Sequence, residues 1–89
     1  MNIGDILLSR RFVKQHAALS SKLKRRLEKT VRLFRENPLH PSLRLHKLTG
    51  PLNQHWSISI NLQYRVIFEM LENGDILFVS VGTHAIYDD

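Results

Sequence analysis

The helical hydrophobic repeat of this chain ends at Asn37-Pro38, and after His40-Pro41-Ser42 the period is two. Upstream, Leu23, Leu27, Val31 and Phe34 recur at helical spacing, with Lys22, Lys24, Arg25, Arg26, Lys29, Arg32 and Arg35 on the remaining faces. Proline disfavours helical geometry in the residue before it, so this helix must stop at Asn37. Downstream, Leu43, Leu45 and Lys47 alternate with Arg44, His46 and Leu48, which predicts a half-buried strand interrupted by Gly50-Pro51. Trp56, Ile58 and Ile60 alternate with Ser57, Ser59 and Asn61, which predicts an amphipathic strand. Two nearly continuous apolar runs follow, Tyr64 to Leu71 and Asp75 to Val81. The Asn73-Gly74 between them predicts a type I′ hairpin, whose two central residues need positive φ.

A helical front and a stranded rear describe an α+β fold with its layers segregated. Asp5 to Leu8 carries a short apolar run suited to a first strand. Ser9 can cap a helix over Arg10 to Leu19, and Ser20 or Ser21 can cap the second. The expected order is β-α-α-β-β-β-β: an N-terminal helical hairpin packed on a mostly antiparallel sheet of four to five strands. With 89 residues and no visible linker or repeat, residues 1–89 are expected to form a single domain. A chain of this size buries roughly 60–65% of its unfolded surface, so its stability margin is thin.

Cysteine is absent, which removes disulfides and thiolate chemistry and suits a reducing compartment. The N-terminal apolar stretch is too short for a signal peptide, and no run approaches the length of a membrane span. A soluble, cytoplasmic protein is expected. Charge is distributed unevenly: twelve Lys or Arg and two Glu lie between Arg10 and Lys47. From Leu48 onward, Arg65 stands against five carboxylates. A cationic field concentrated on part of a small domain attracts nucleic acid or an acidic protein, although a solvated helix face has the same composition.

Five residues carry candidate chemistry. His84, in Gly82-Thr83-His84, follows the last apolar run and suits general acid–base work near neutral pH, or is simply an exposed terminal side chain. Arg65 interrupts an apolar run; its planar fork can clamp a phosphate, or can pair with Glu69 or the acidic terminus. Tyr87 can stack on a nucleobase or cover the edge of the core. His46 and its neighbour Lys47 offer a second proton-transfer group and a phosphate contact, or face solvent. His16, His40 and His55 lack ligand spacing, so no metal site and no cofactor is expected.

Taken together, the basic helical hairpin, HPSLRLHKLTG, WSISINLQYRVIFEM and GDILFVSVGTHAIYD resemble the RelE/ParE superfamily of type II toxins over nearly the whole chain. The resemblance implies a toxin that enters the ribosome, cuts mRNA without a metal through attack by a ribose 2′-OH, and is silenced by a cognate antitoxin. It places His84 at the catalytic histidine of YafQ-type sites and Arg65 at the phosphate-binding arginine of RelE-type sites. Tyr87 falls at the terminal tyrosine of the latter, and His46 at a histidine of YafQ-type sites. Arg44, Lys47, Lys22, Arg25, Arg26 and Lys29 become the RNA-binding cations. Ser57 and Ser59 stand where RelE-type enzymes carry lysines, and Ser80 where YafQ-type enzymes carry an arginine, which implies a slower cut. The superfamily also contains ParE-like inhibitors of DNA gyrase, and a catalytically inactive antitoxin-binding module is the third alternative.

Overall fold

The computed structural model describes residues 2–50, 54–83 and 85–86. Its elements run β1 (Ile6–Leu8), α1 (Arg10–Ala17), α2 (Ser21–Glu36), a 3₁₀ turn (Pro41–Leu43), β2 (His46–Lys47), β3 (Trp56–Ser59), β4 (Arg65–Met70) and β5 (Ile76–Gly82). The five strands form one sheet in the order β1-β5-β4-β3-β2. β1 pairs with β5 in parallel and every other pair is antiparallel, giving the expected α+β architecture.

Local chemistry accounts for the helix limits. Ser9 and Ser20 are the N-caps, accepting hydrogen bonds from the backbone N–H of Phe12 at 3.0 Å and of Leu23 at 3.1 Å. Asn37, with φ −150° and ψ 80°, ends α2 immediately before Pro38. Among the described residues no helix is long and apolar enough to cross a membrane.

One face of the sheet packs against both helices. Ile58, Val66, Phe68, Ile76, Phe78 and Val81 meet Phe12 of α1 with Leu27 and Phe34 of α2 in the main core. Phe34 is fully buried, its ring 5.1 Å from Phe68 and 6.4 Å from Phe78. Past the end of β1, α1 takes over as the neighbour of β5. Ser9 donates through its backbone N–H to the Phe78 carbonyl and through its hydroxyl to that of Val79, and Gln15 accepts from the Val81 N–H at 2.8 Å. Val79 is an extra residue in the β4–β5 ladder, where Ile67 opposes Ser80 but Phe68 opposes Phe78. This bulge reverses the alternation, so Val81 faces the helices while Ser80 and Gly82 share the opposite face with Ile67 and Arg65.

Two expectations about local geometry are corrected. Residues 43–48 are not a continuous strand: Leu43 ends the 3₁₀ turn, Arg44 is left-handed at φ 47°, and only His46 and Lys47 pair with β3. The β4–β5 turn is not type I′, because Gly74 alone has positive φ, at 89°. Leu71 N–H donates to the Asp75 carbonyl and Gly74 N–H to the Leu71 carbonyl, the pattern of a three-residue loop closed by a left-handed glycine.

Candidate functional site

The sheet face opposite the helices carries the site. Arg65 opens β4, with Ser59 as its register partner on β3 and Gly82 on β5. Its side chain lies across β3. Nε donates to the Ser57 hydroxyl at 2.6 Å and Nη1 to the Ser59 hydroxyl at 2.7 Å. Nη2 reaches the Arg44 carbonyl and His46 Nδ1, both at 3.3 Å. Among the described residues no carboxylate pairs with Arg65; its partners are hydroxyls, a carbonyl and an imidazole. Each of the three guanidinium nitrogens is thus held in place, and the N–H groups not engaged there can bind an anion.

Why the fork lies flat is legible in the neighbours. Ser57 and Ser59 are buried although the strand pattern predicts a solvent face, because the guanidinium covers them. A longer side chain at either position would occupy the space that Arg65 fills. These serines, read from sequence as lost cations, are the groups that orient the arginine. Arg44 contributes its backbone: the left-handed turn, costing about 1–3 kcal/mol in a non-glycine residue, presents its carbonyl to Arg65 and to His46 Nδ1, the latter at 3.2 Å. His46 Nδ1 therefore lies within reach of one fixed donor and one fixed acceptor. If Nδ1–H donates to Arg44, Nε2 holds a lone pair; if Nδ1 accepts from Arg65, Nε2 holds a proton. The two tautomers offer a base and a donor respectively.

The other sequence candidates fall into three groups. Lys47 is exposed beside His46, paired with Trp56. Lys22, Arg25, Arg26 and Lys29 are exposed on α2, on the helix-bearing side of the sheet. His84 and Tyr87 lie outside the described residues. Of the described residues near them in sequence, Gly82 is the register partner of Arg65 and Ile86 packs on Ile67 and Leu48. Ile86 N–H donates to the Thr83 carbonyl at 3.1 Å, and a Cβ at Gly82 would meet Ile86 Cγ2 at 2.7 Å, so a larger residue there would displace the Ile86 side chain. His40 has a local structural role, its Nδ1 capping the 3₁₀ turn through the Ser42 N–H. Among the described residues no cluster of His, Asp or Glu could hold a metal.

On the helix side, α1, α2 and β1 enclose an apolar groove of about 480 Å³ lined by Leu8, Phe12, Val13, Leu27 and Val31.

The profile of HigB-like toxins, described as RelE-like toxins of the type II toxin-antitoxin system HigB, matches residues 9–84. The chain belongs to this family. It is a RelE-like type II toxin, as its fold corroborates. YafQ from E. coli strain BL21(DE3) is similar at a TM-score of 0.78 and 20% identity, over 96% of this chain and 98% of that one. A YoeB/ParE toxin from Agrobacterium tumefaciens gives 0.75 at 10% identity, over 91% and 99%. The E. coli DinJ-YafQ toxin-antitoxin complex gives 0.74 at 21% identity, over 92% and 93%. No curated protein sequence matches the chain.

Proposed function

We propose that this toxin is a ribosome-dependent endoribonuclease that cuts mRNA. The observation that carries the reading is the guanidinium of Arg65, oriented on the sheet face opposite the helices by Ser57, Ser59 and the Arg44 carbonyl, next to His46. Its cross-strand neighbour Gly82 precedes His84 by two residues in the chain. In the proposed reaction the His84 imidazole takes the proton from a ribose 2′-OH. O2′ attacks the adjacent phosphorus, a 2′,3′-cyclic phosphate forms, and the bond to O5′ breaks as that oxygen is protonated. Arg65 stabilises the additional negative charge on the phosphoryl oxygens, and a donor held in place before the reaction requires little reorganisation as that charge develops. His46 and Tyr87 orient the strand or assist proton transfer. Arg44, Lys47 and the α2 cations bind RNA backbone.

The expected partner is an antitoxin, as DinJ is for YafQ in E. coli. An amphipathic antitoxin segment would fill the groove between α1, α2 and β1, beside the exposed side chains of Leu8 and Val13. The cytoplasm, where mRNA is translated, is the proposed site of action. The test is mRNA cleavage in a translating extract by wild type and His84→Ala. Wild type is expected to cut and His84→Ala to be slower by about 10²–10⁴-fold, the usual range for a proton-transfer group. Equal cleavage by both would remove His84 from the mechanism.

A further inference from the structure

The turn between β3 and β4 holds a large apolar side chain out in solvent. Leu62 is 86% exposed, more than any other large hydrophobic residue described. The turn beneath it is firmly built. Asn61 Oδ1 accepts from the backbone N–H of Gln63 at 2.8 Å and of Tyr64 at 2.7 Å. Ile60 N–H donates to the Tyr64 carbonyl at 2.9 Å, and Arg26 Nε donates to the Ile60 carbonyl at 3.2 Å, tying the turn to α2. An exposed leucine contributes little to folding, and the hydrogen bonds on either side of it fix the backbone that carries it.

Cation-lined grooves flank the turn. One, of about 530 Å³, is lined by Lys22, Arg25 and Lys29 of α2. The other, of about 590 Å³, is lined by Arg44, Ser42 and Ser59. Arg26, Asn61 and Gln63 line both, and among the described residues no carboxylate lines either. The second groove shares Arg44 and Ser59 with the seat of Arg65, which lies three residues beyond Leu62. The track of positive charge thus starts beside Arg65 on the sheet face opposite the helices, rounds the sheet at this turn and ends on α2.

We propose that the turn carries the same mRNA strand that Arg65 engages, with its phosphates in the two grooves and Leu62 wedged against a base between them. The proposal rests on the cleavage reading, and continuity with Arg65 is what selects the substrate strand over another polyanion. Single strands are held by a cationic groove with side chains, commonly aromatic, that meet base faces, and leucine serves as a wedge between base steps in kinked duplexes; Leu62 would combine the two.

The test places a photoreactive group at the tip, Leu62→p-benzoylphenylalanine, and irradiates the toxin on ribosomes carrying end-labelled mRNA. The decoded codons carry 2′-deoxyribose, so that the message binds uncut; a parallel reaction with native RNA reports cleavage. The expected result is a crosslink to mRNA within a few nucleotides of the cut. Leu62→Glu is expected to weaken binding of a twelve-nucleotide RNA about tenfold and of a three-nucleotide RNA hardly at all, with an unchanged melting temperature. Cleavage of native RNA combined with a crosslink only to ribosomal RNA, only to protein, or to nothing would overturn the track and leave the nuclease reading intact. A crosslink to mRNA that is never cut would overturn the nuclease reading and retain the track. With neither crosslink nor cut, both fail.

Discussion

Arg65→Ala is expected to cut mRNA about 10²–10³-fold more slowly than wild type, the usual loss when one preorganised donor to a developing negative charge is removed. Arg65→Lys should recover little of that loss. An ammonium group restores the charge but cannot reach Ser57, Ser59 and the Arg44 carbonyl together as the planar fork does. A stability effect accompanies the change, because the Ser57 and Ser59 hydroxyls are buried beneath the guanidinium. Losing a buried hydrogen-bond partner costs about 1–3 kcal/mol. Melting curves beside the cleavage rates separate the contributions: a variant still folded at the assay temperature and slow shows a chemical loss. Ser57→Ala with Ser59→Ala provides the complement, retaining the charge but freeing the fork, and should lower kcat more than it changes KM. An Arg65→Ala protein that cuts at the wild-type rate would exclude the guanidinium from the reaction.

Phe34→Ala is expected to destabilise the fold by about 3–5 kcal/mol, the range for a buried aromatic truncated to alanine. Phe34 has no exposed surface, and its ring touches both Phe68 and Phe78. It therefore joins α2 to β4 and β5, and its truncation leaves a cavity between them. A domain of 89 residues has about 4–13 kcal/mol of stability in total, so the loss approaches the whole of a weakly stable fold. In urea, where m is about 1–3 kcal/mol/M, the midpoint should fall by one to several molar. A midpoint unchanged within error would mean that α2 does not depend on this contact. Because the sheet carries Arg65, the same substitution should also abolish cleavage, but by unfolding.

The parts of the fold that depend on neighbours in sequence are legible in the sequence, and those that depend on distant partners are not. The helix end at Asn37-Pro38, the caps Ser9 and Ser20 and the hairpin at Gly74 each rest on a few adjacent residues. By contrast, β1 pairs with β5 across most of the chain, and no local pattern announces a parallel pair between the first and last strands. The alternation of Leu43 to Leu48 reads as a strand, yet Arg44 is left-handed, with its carbonyl directed to Arg65. The sequence points to Arg65 and His46, whereas the family resemblance marks Ser57 and Ser59 only as positions without the expected cations. Small hydroxyls at alternate strand positions, opposite an arginine on the next strand, are the signal that would have found them. Nor does the sequence disclose that Arg65 and the α2 cations lie on opposite sides of the sheet, joined around the Leu62 turn.

The central claim is that a ribose 2′-oxygen attacks a phosphate held by Arg65, and the ends of the cut message record that chemistry. Fragments of mRNA from a translating extract treated with the wild-type toxin should carry 2′,3′-cyclic phosphate on one side of the cut and a free 5′-hydroxyl on the other. Fragments bearing 5′-phosphate and 3′-hydroxyl ends, or a message left intact while translation stops, would contradict it.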